Sequence, residues 1–247
     1  MSNILEKNIV YNTHTNKYTF EEFLKTLDTN TIYIISITEN DYSCEIRFFK
    51  DDKFNYRLYT RIYLETNTNS KLEEITMFMQ NPQPISLSKH NIIVALKNVF
   101  QGRVKCIHLF NIVSVITKNK KIKKIGNSKR PINTIQDILS ENLNQDIHTY
   151  VKNLFNEIIF KTPKVILACG QHIFYQPYIK ARDIYKEYLE DFCTCNDNIK
   201  LLSNVKTKIS LKEYGLECYP ACYINKSEHN KHLLEILDSS NMNYNAC

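Results

Sequence analysis

Strand-like runs of apolar residues, separated by polar residues, occupy much of the first third of the chain. Three such stretches are rich in β-branched and aromatic residues. They are 31–37, 43–49 and 56–64. Polar residues that favour turns separate them, so the pattern predicts an antiparallel meander. Ahead of it, the apolar residues between Tyr18 and Leu24 have the spacing of a short helix, which we expect to cover the meander.

From residue 75 onward, apolar runs of strand length alternate with helical patterns. The strand-like runs are 75–79, 104–110 and 165–169, and the helical patterns are 88–100, 135–159 and 179–189. Alternation of strands and helices favours a sheet with helices on both faces. We therefore predict an α/β fold: a three-layer sandwich with a mostly parallel central sheet, preceded by an N-terminal antiparallel β meander.

The length of 247 residues allows a substantial core, and we expect a single α/β domain over 1–247. Within it we distinguish a β-rich N-terminal extension over 1–70, a core over 71–225, and a C-terminal helix and tail over 226–247. The sequence has no apolar export signal and no apolar stretch near the ~18 residues of a membrane helix. These features predict a soluble cytoplasmic protein that does not contact a membrane.

The eight cysteines are expected to be reduced thiols, because disulfides are rare in the cytoplasm. Four of them are candidates for a metal site, namely Cys193, Cys195, Cys218 and Cys222. Their C-x-C and C-x3-C spacings match no common zinc pattern. We expect no metal and no cofactor.

Turn-forming or polar residues follow each of the three apolar runs after residue 75. These candidate site residues are Gln80, Asn81, Pro82, Asn111, Gly170 and His172. Ligands of open α/β sheets bind outside the carboxyl ends of the strands, so the pattern predicts one shared site. The alternatives are that Asn81 only forms a turn, that Asn111 only caps a helix or turn, and that His172 is an exposed loop residue.

The net charge of +6 is concentrated in one segment, 118–130, which contains no acidic residue. Its cations are Lys118, Lys120, Lys121, Lys123, Lys124, Lys129 and Arg130. Such a run is either a solvated loop or a contact for a phosphate backbone. Because it follows Asn111, we favour phosphate contact and predict DNA as a partner.

The order of these motifs resembles that of the uracil-DNA glycosylase superfamily. Gln80-Asn81-Pro82 is similar to the family's first motif, and the strand that ends at Asn111 is similar to its second. The strand that ends at Gly170 and the late loop with Tyr219 and Pro220 resemble the remaining two. The resemblance implies that Asn81 positions the hydrolytic water and that Asn111 reads the edge of a flipped base.

The last motif departs from the family, because Tyr219 stands where histidine is usual. A tyrosine hydroxyl can donate a hydrogen bond to a base or phosphate oxygen, but it does not supply the positive charge of an imidazolium. The resemblance thus implies Asn81 and Tyr219 as catalytic residues, with activity that is altered or absent. The remaining residues, Gln80, Pro82, Asn111, Gly170 and His172, would bind the base.

A further resemblance is to a bacterial and phage family of unknown function, the DUF1643 proteins. It rests on a tyrosine-rich strand pair followed by three short motifs, in the order Asp41-Tyr42-Ser43-Cys44, Tyr56-Arg57-Leu58, Asn81-Pro82, Leu109-Phe110 and Tyr219-Pro220. In this register His108 takes the asparagine position, so the base reader is either His108 or Asn111.

Together the resemblances imply a DNA glycosylase-like enzyme that hydrolyses the N-glycosidic bond of a modified or non-standard base in a phage–host conflict. Two alternatives stay open on the same fold. One is a non-catalytic nucleic-acid or nucleotide-binding protein, and the other is a protein-interaction module with a protein partner.

Overall fold

The computed structural model describes a large part of the chain, in several segments. They are 5–12, 15–39, 42–64, 72–79, 96–97, 100–111, 114–116, 144–159, 162, 164–168, 200–203, 209–211 and 216–218. The elements are β1 Leu5–Asn12, α1 Phe20–Thr26, β2 Thr31–Glu39, β3 Tyr42–Lys50, β4 Asn55–Tyr63, β5 Glu74–Met79, β6 Cys106–Asn111, α2 Gln145–Ile159, β7 Lys164–Ala168, β8 Lys200–Ser203, β9 Ile209–Leu211 and β10 Leu216–Cys218. Residues 96, 97 and 100 are also helical.

The first eight strands form one mixed sheet in the order β1-β2-β3-β4-β6-β5-β7-β8. Strands β2, β3 and β4 pair antiparallel, so the predicted meander is present. On its far side β1 runs parallel to β2. Strands β6, β5, β7 and β8 are parallel to one another. Strands β9 and β10 form a separate antiparallel pair.

The predicted three-layer sandwich with a mostly parallel central sheet is wrong. The meander is continuous with the parallel strands, because Thr60–Tyr63 of β4 pairs antiparallel with Cys106–Leu109 of β6. In the segments that the structure describes, only α1 and α2 have defined helical bounds. Side-chain alternation shows which face a residue occupies, but it does not show which strand lies alongside. The sequence therefore predicted the strands better than the sheet that they form.

One face of the sheet is apolar, and α1 and the helical residues 96 and 100 pack on it. Its main buried side chains are Tyr33, Ile35, Ile37, Cys44, Ile46, Phe48, Ile62, Ile75, Met77, Ile107 and Leu109. From the helices, Phe20, Leu24, Leu96 and Phe100 pack against them. Helix α1 begins at a capping box, in which Thr19 and Glu22 each accept a hydrogen bond from the other's backbone N–H. The predicted covering helix is therefore present.

Helix α2 packs on the opposite face of the sheet. The ring of Phe155 meets that of Phe110 edge to face, with 5.5 Å between the centroids. The Tyr150 hydroxyl accepts a hydrogen bond from the Arg47 guanidinium. The sequence predicted this helix over 135–159, and its described part begins at residue 145. In the parts of the chain that the structure describes, no helix is both long and apolar enough to cross a bilayer.

Candidate functional site

The carboxyl ends of β5, β6 and β7 lie at the same level, at one end of the sheet. Met79, the last residue of β5, pairs with Asn111 of β6 on one side and with Ala168 of β7 on the other. The chain passes from β5 to β6 on one side and then to β7 on the other, so the strand order reverses at β5. In parallel sheets such a reversal point is where ligands bind. The candidate site therefore lies at the carboxyl ends of these three strands.

Most of the predicted site residues lie outside the described residues. They are Gln80, Asn81, Pro82, Gly170, His172 and Tyr219, together with the cations Lys118, Lys120, Lys121, Lys123, Lys124, Lys129 and Arg130. Asn81 comes two residues after Met79, and Gly170 comes two residues after Ala168. Of the two candidate base readers, both His108 and Asn111 are described.

Asn111 is buried at the end of β6, with 2% of its surface exposed. Its Oδ1 accepts a hydrogen bond from Nη2 of Arg57 at 3.5 Å. Its Nδ2 has no hydrogen-bond partner in the described part of the chain. The other buried side-chain atoms without a partner among the described residues are Arg47 Nε, Arg57 Nε, Thr60 Oγ1 and Asn156 Oδ1. Because buried polar atoms are nearly always paired, Asn111 Nδ2, at a strand end, is a candidate for a ligand contact.

Arg57, which pattern reasoning did not single out as a site residue, is buried beside Asn111. The register between β3 and β4 shifts at this point, because Arg47 pairs with Tyr59 whereas Phe48 pairs with Arg57. Leu58 therefore has no partner residue in β3. Such a bulge re-aims side chains, and here Arg57 is only 5% exposed. A strict two-residue alternation cannot show this shift, so the sequence carried no signal for it.

The guanidinium of Arg57 is charged and poorly compensated. Burial lowers the pKa of Arg57 to about 10, which still leaves the group protonated at neutral pH. Its Nε has no hydrogen-bond partner among the described residues. Asn111 Oδ1 accepts from its Nη2, but no described carboxylate pairs with it. A buried charge without a counter-ion typically costs several kcal/mol, so an anionic or oxygen-rich ligand would stabilise this arrangement.

A second polar cluster lies near the amino ends of β5 and β6, on the face that α2 covers. Glu74 and Cys106 are register partners, and their ligand atoms and those of His108 lie within 4.8 Å of one another. The Nδ1 of His108 is hydrogen-bonded to the Tyr59 hydroxyl at 2.6 Å, and its Nε2 to Glu74 at 2.7 Å. Both ring nitrogens of His108 are therefore engaged.

The second cluster also contains two cations. Arg61 Nε donates to Cys106 Sγ at 3.3 Å, and Arg61 Nη2 and Lys105 Nζ lie 3.5 and 3.6 Å from a Glu74 oxygen. Burial raises the pKa of the Cys106 thiol to about 11, so at neutral pH it is not a reactive thiolate. Sulfur, nitrogen and oxygen donors are suitable for Zn²⁺. The Glu74 carboxylate is already hydrogen-bonded to His108 and Arg61 and forms an ion pair with Lys105, and Cys106 Sγ accepts from Arg61. The cluster therefore fits a polar network that holds the strands together.

Comparison of the chain with protein-family models, curated proteins and solved structures gives no match. The resemblance to the glycosylase superfamily therefore stays a prediction from the motifs. The functional argument depends on the level strand ends and on the unpaired donors of Arg57 and Asn111.

Proposed function

We propose that this chain is a DNA glycosylase-like enzyme that hydrolyses the N-glycosidic bond of a modified or non-standard base. The proposal rests on the side-chain amide of Asn111, which is buried at the carboxyl end of β6. Its Nδ2 has no hydrogen-bond partner among the described residues. A flipped base presents carbonyl oxygens on its edge, and a buried amide nitrogen is a donor for such an oxygen.

The hydrogen bonding of the two candidate readers supports Asn111 rather than His108. Both ring nitrogens of His108 are bonded, to Tyr59 and Glu74. Asn111 keeps a donor that meets no described partner, and it lies at the strand end. In the proposal, Asn111 reads the base and His108 is structural.

The proposed reaction is attack of water on the sugar carbon that bears the base. A bond forms from the water oxygen to C1′, the C1′–N bond breaks, and its electron pair leaves with the base. Asn81 orients the water through its amide, which is a poor proton acceptor, so the proton passes to solvent. The Tyr219 hydroxyl donates a hydrogen bond to a phosphate or base oxygen. Such a site depends on electrostatic stabilisation of the departing base.

The remaining predicted residues complete this proposal. Gln80, Pro82, Gly170 and His172 line the base site. The cations of 118–130 contact the phosphate backbone, which provides affinity without sequence preference. We propose that the enzyme acts in the cytoplasm, on DNA that is exposed during phage–host conflict.

The test is to incubate the protein with DNA that carries uracil, mismatched or hypermodified bases and to measure alkali-labile abasic sites. We expect cleavage after alkali with the wild type, and its loss in Asn81→Ala. Asn153→Ala, an exposed position on α2, is the matched control and should retain full activity. Absence of abasic sites on every DNA of the panel would contradict the enzymatic proposal.

The second candidate is a non-catalytic DNA-binding protein. Two sequence features favour it: an amide at Asn81 that does not accept a proton, and Tyr219 in place of histidine. It predicts salt-dependent DNA affinity without base release. The plot of log affinity against log salt concentration has a negative slope. Neutralising Lys120, Lys121, Lys123 and Lys124 should make this slope less steep by roughly 3 to 4 on duplex DNA. An unchanged slope would instead favour the protein-interaction alternative.

A further inference from the structure

We infer that the outer edge of β1 is the interface of a symmetric dimer, in which β1 pairs antiparallel with β1 of a second copy of this chain. The eight-stranded sheets of the two copies then form one continuous sheet. In the strand order of the sheet, β1 is separated from β6, β5 and β7 by the meander, so the interface is distinct from the candidate site. The inference does not depend on the proposed function.

The first argument is the regularity of β1 as an edge strand. It is the first strand in the order of the sheet, and in the described part of the chain no strand lies on its outer side. It is eight residues long, contains no proline and pairs with β2 without a register shift. Natural sheets protect their edges with short strands, prolines or bulges. Because β1 has none of these three devices, its extended backbone is suited to pairing with another strand.

The second argument is the position of the exposed apolar side chains. In the described part of the chain, the large apolar side chains that are exposed are Leu5 and Val10 of β1, at 56% and 79%, and Tyr18, at 58%. Tyr18 lies beside β1, because its carbonyl accepts a hydrogen bond from the Tyr11 hydroxyl. A concentration of exposed apolar side chains marks an interaction surface. The partner of β1 therefore covers Leu5 and Val10.

The third argument is charge. The two charged side chains of β1 have opposite signs, and each already has a partner within the chain. Lys7 Nζ lies 3.4 Å from the Asp28 carboxylate. Glu6 lies 3.9 Å from the Arg47 guanidinium and accepts a hydrogen bond from the Tyr150 hydroxyl. The edge is therefore neutral, and a neutral edge is compatible with an identical copy of itself, as a two-fold dimer requires.

The side chains of β1 select one register for this pairing. Residues directly opposite each other in an antiparallel pair lie on the same face of the sheet, so in a two-fold dimer one residue lies opposite itself. When that residue is Asn8, Glu6 lies opposite Val10 of the second copy. Leu5 then lies opposite Tyr11 of the second copy. The two Asn8 amides face each other across the axis, and each has both a donor and an acceptor for the other.

The neighbouring registers are less favourable. With the axis at Lys7, two ammonium groups lie directly opposite each other, which is destabilising. With the axis at Ile9 or Val10, Leu5 extends beyond β1 of the second copy and stays exposed. The register with the axis at Asn8 is therefore the one that places both exposed apolar residues of β1 opposite β1 without opposing like charges.

The first experiment measures the dimer dissociation constant of the full chain by sedimentation equilibrium over a series of concentrations. Val10→Glu places a carboxylate opposite Glu6 of the second copy, so we expect the dissociation constant to rise about tenfold or more. Val10→Lys places a cation there instead and should keep the wild-type value within about threefold. Because Val10 is largely exposed, neither change disturbs the core. Asn153→Glu, at an exposed position of α2, is the control and should dimerise like the wild type.

Two results of this experiment would overturn the inference. One is a wild type that stays monomeric at every concentration, which would leave an extended segment of another protein as the occupant of the β1 edge. The other is a dimer with the same dissociation constant in Val10→Glu and Val10→Lys, which would place the interface elsewhere.

The second experiment tests the register by disulfide formation under mild oxidation. Asn8→Cys places the two new thiols opposite each other at the axis, within the reach of a disulfide. Val10→Cys places them four residues apart along the strands, or about 13 Å, which is beyond that reach. The wild type, with its own eight cysteines, gives the background. We expect a covalent dimer above this background in Asn8→Cys and not in Val10→Cys. Equal amounts of covalent dimer in the two variants would overturn the pairing about Asn8.

Discussion

Two sets of buried polar side chains differ in how their hydrogen-bonding groups are satisfied. His108 is bonded at both ring nitrogens, to Tyr59 and to Glu74. By contrast, Arg57 Nε and Asn111 Nδ2 have no partner among the described residues. Folded proteins pair nearly all buried polar atoms. The first set therefore stabilises the sheet, whereas in the proposed function the second set contacts a ligand.

The state of Glu74 leads to a prediction about acid stability. Burial alone would raise its pKa, but the hydrogen bond from His108 and the charges of Arg61 and Lys105 outweigh burial and hold the pKa below the ordinary 4.5. A carboxyl with a lower pKa in the folded state stabilises the fold above the unfolded value, and this contribution is lost as pH falls through the folded value. The free energy of unfolding should therefore decline below about pH 4.5, and less steeply in Glu74→Gln.

Urea denaturation at a series of pH values measures this difference. Glu157→Gln, which removes an exposed carboxylate of α2, is the control and should keep the wild-type slope. Identical slopes for the wild type and Glu74→Gln would show that the Glu74 network contributes nothing to acid stability.

At the scale of elements, the apolar pattern predicted the strands of the meander and β5, β6 and β7 well, but it did not predict β8, β9 and β10. The bounds of β2 to β7 lie close to the apolar runs, because alternating or continuous apolar positions reflect burial directly. The first strand was missed, since the exposed pattern of β1 gives no core-facing alternation. The β-bulge beside Phe48 was also missed, because a bulge changes which residues face each side of the sheet without any change in composition.

Helix α2 gives the prediction at this scale. Phe155 is almost fully buried and contacts Phe110 across the helix–sheet interface. Phe155→Ala removes this contact and leaves a cavity, so it should lower the free energy of unfolding by about 3–5 kcal/mol. Asn153→Ala, at an exposed position of the same helix, should change it by less than about 0.5 kcal/mol. Chemical denaturation measures both, and equal effects would show that α2 does not pack as described.

At the scale of the whole molecule, one mixed sheet brings the meander and the parallel strands together. The sequence predicted that β5, β6 and β7 end near one another, and their register places Met79 between Asn111 and Ala168. It did not predict that β4 joins β6, because strand pairing between distant segments leaves no local pattern. That pairing places Arg57 beside Asn111. Part of the candidate site therefore depends on a strand pairing that the sequence did not predict.

The central claim of the proposal is that the site at the carboxyl ends of β5, β6 and β7 binds a base that is being removed from DNA. Mass spectrometry of bases released from several genomic DNAs tests it most directly, with wild type, Asn111→Ala and the surface control Asn153→Ala. We predict that the wild type and the control release the same discrete base, and that Asn111→Ala releases it at least about 100-fold more slowly. Release of no base from any DNA, or equal release by Asn111→Ala and the wild type, would contradict the claim.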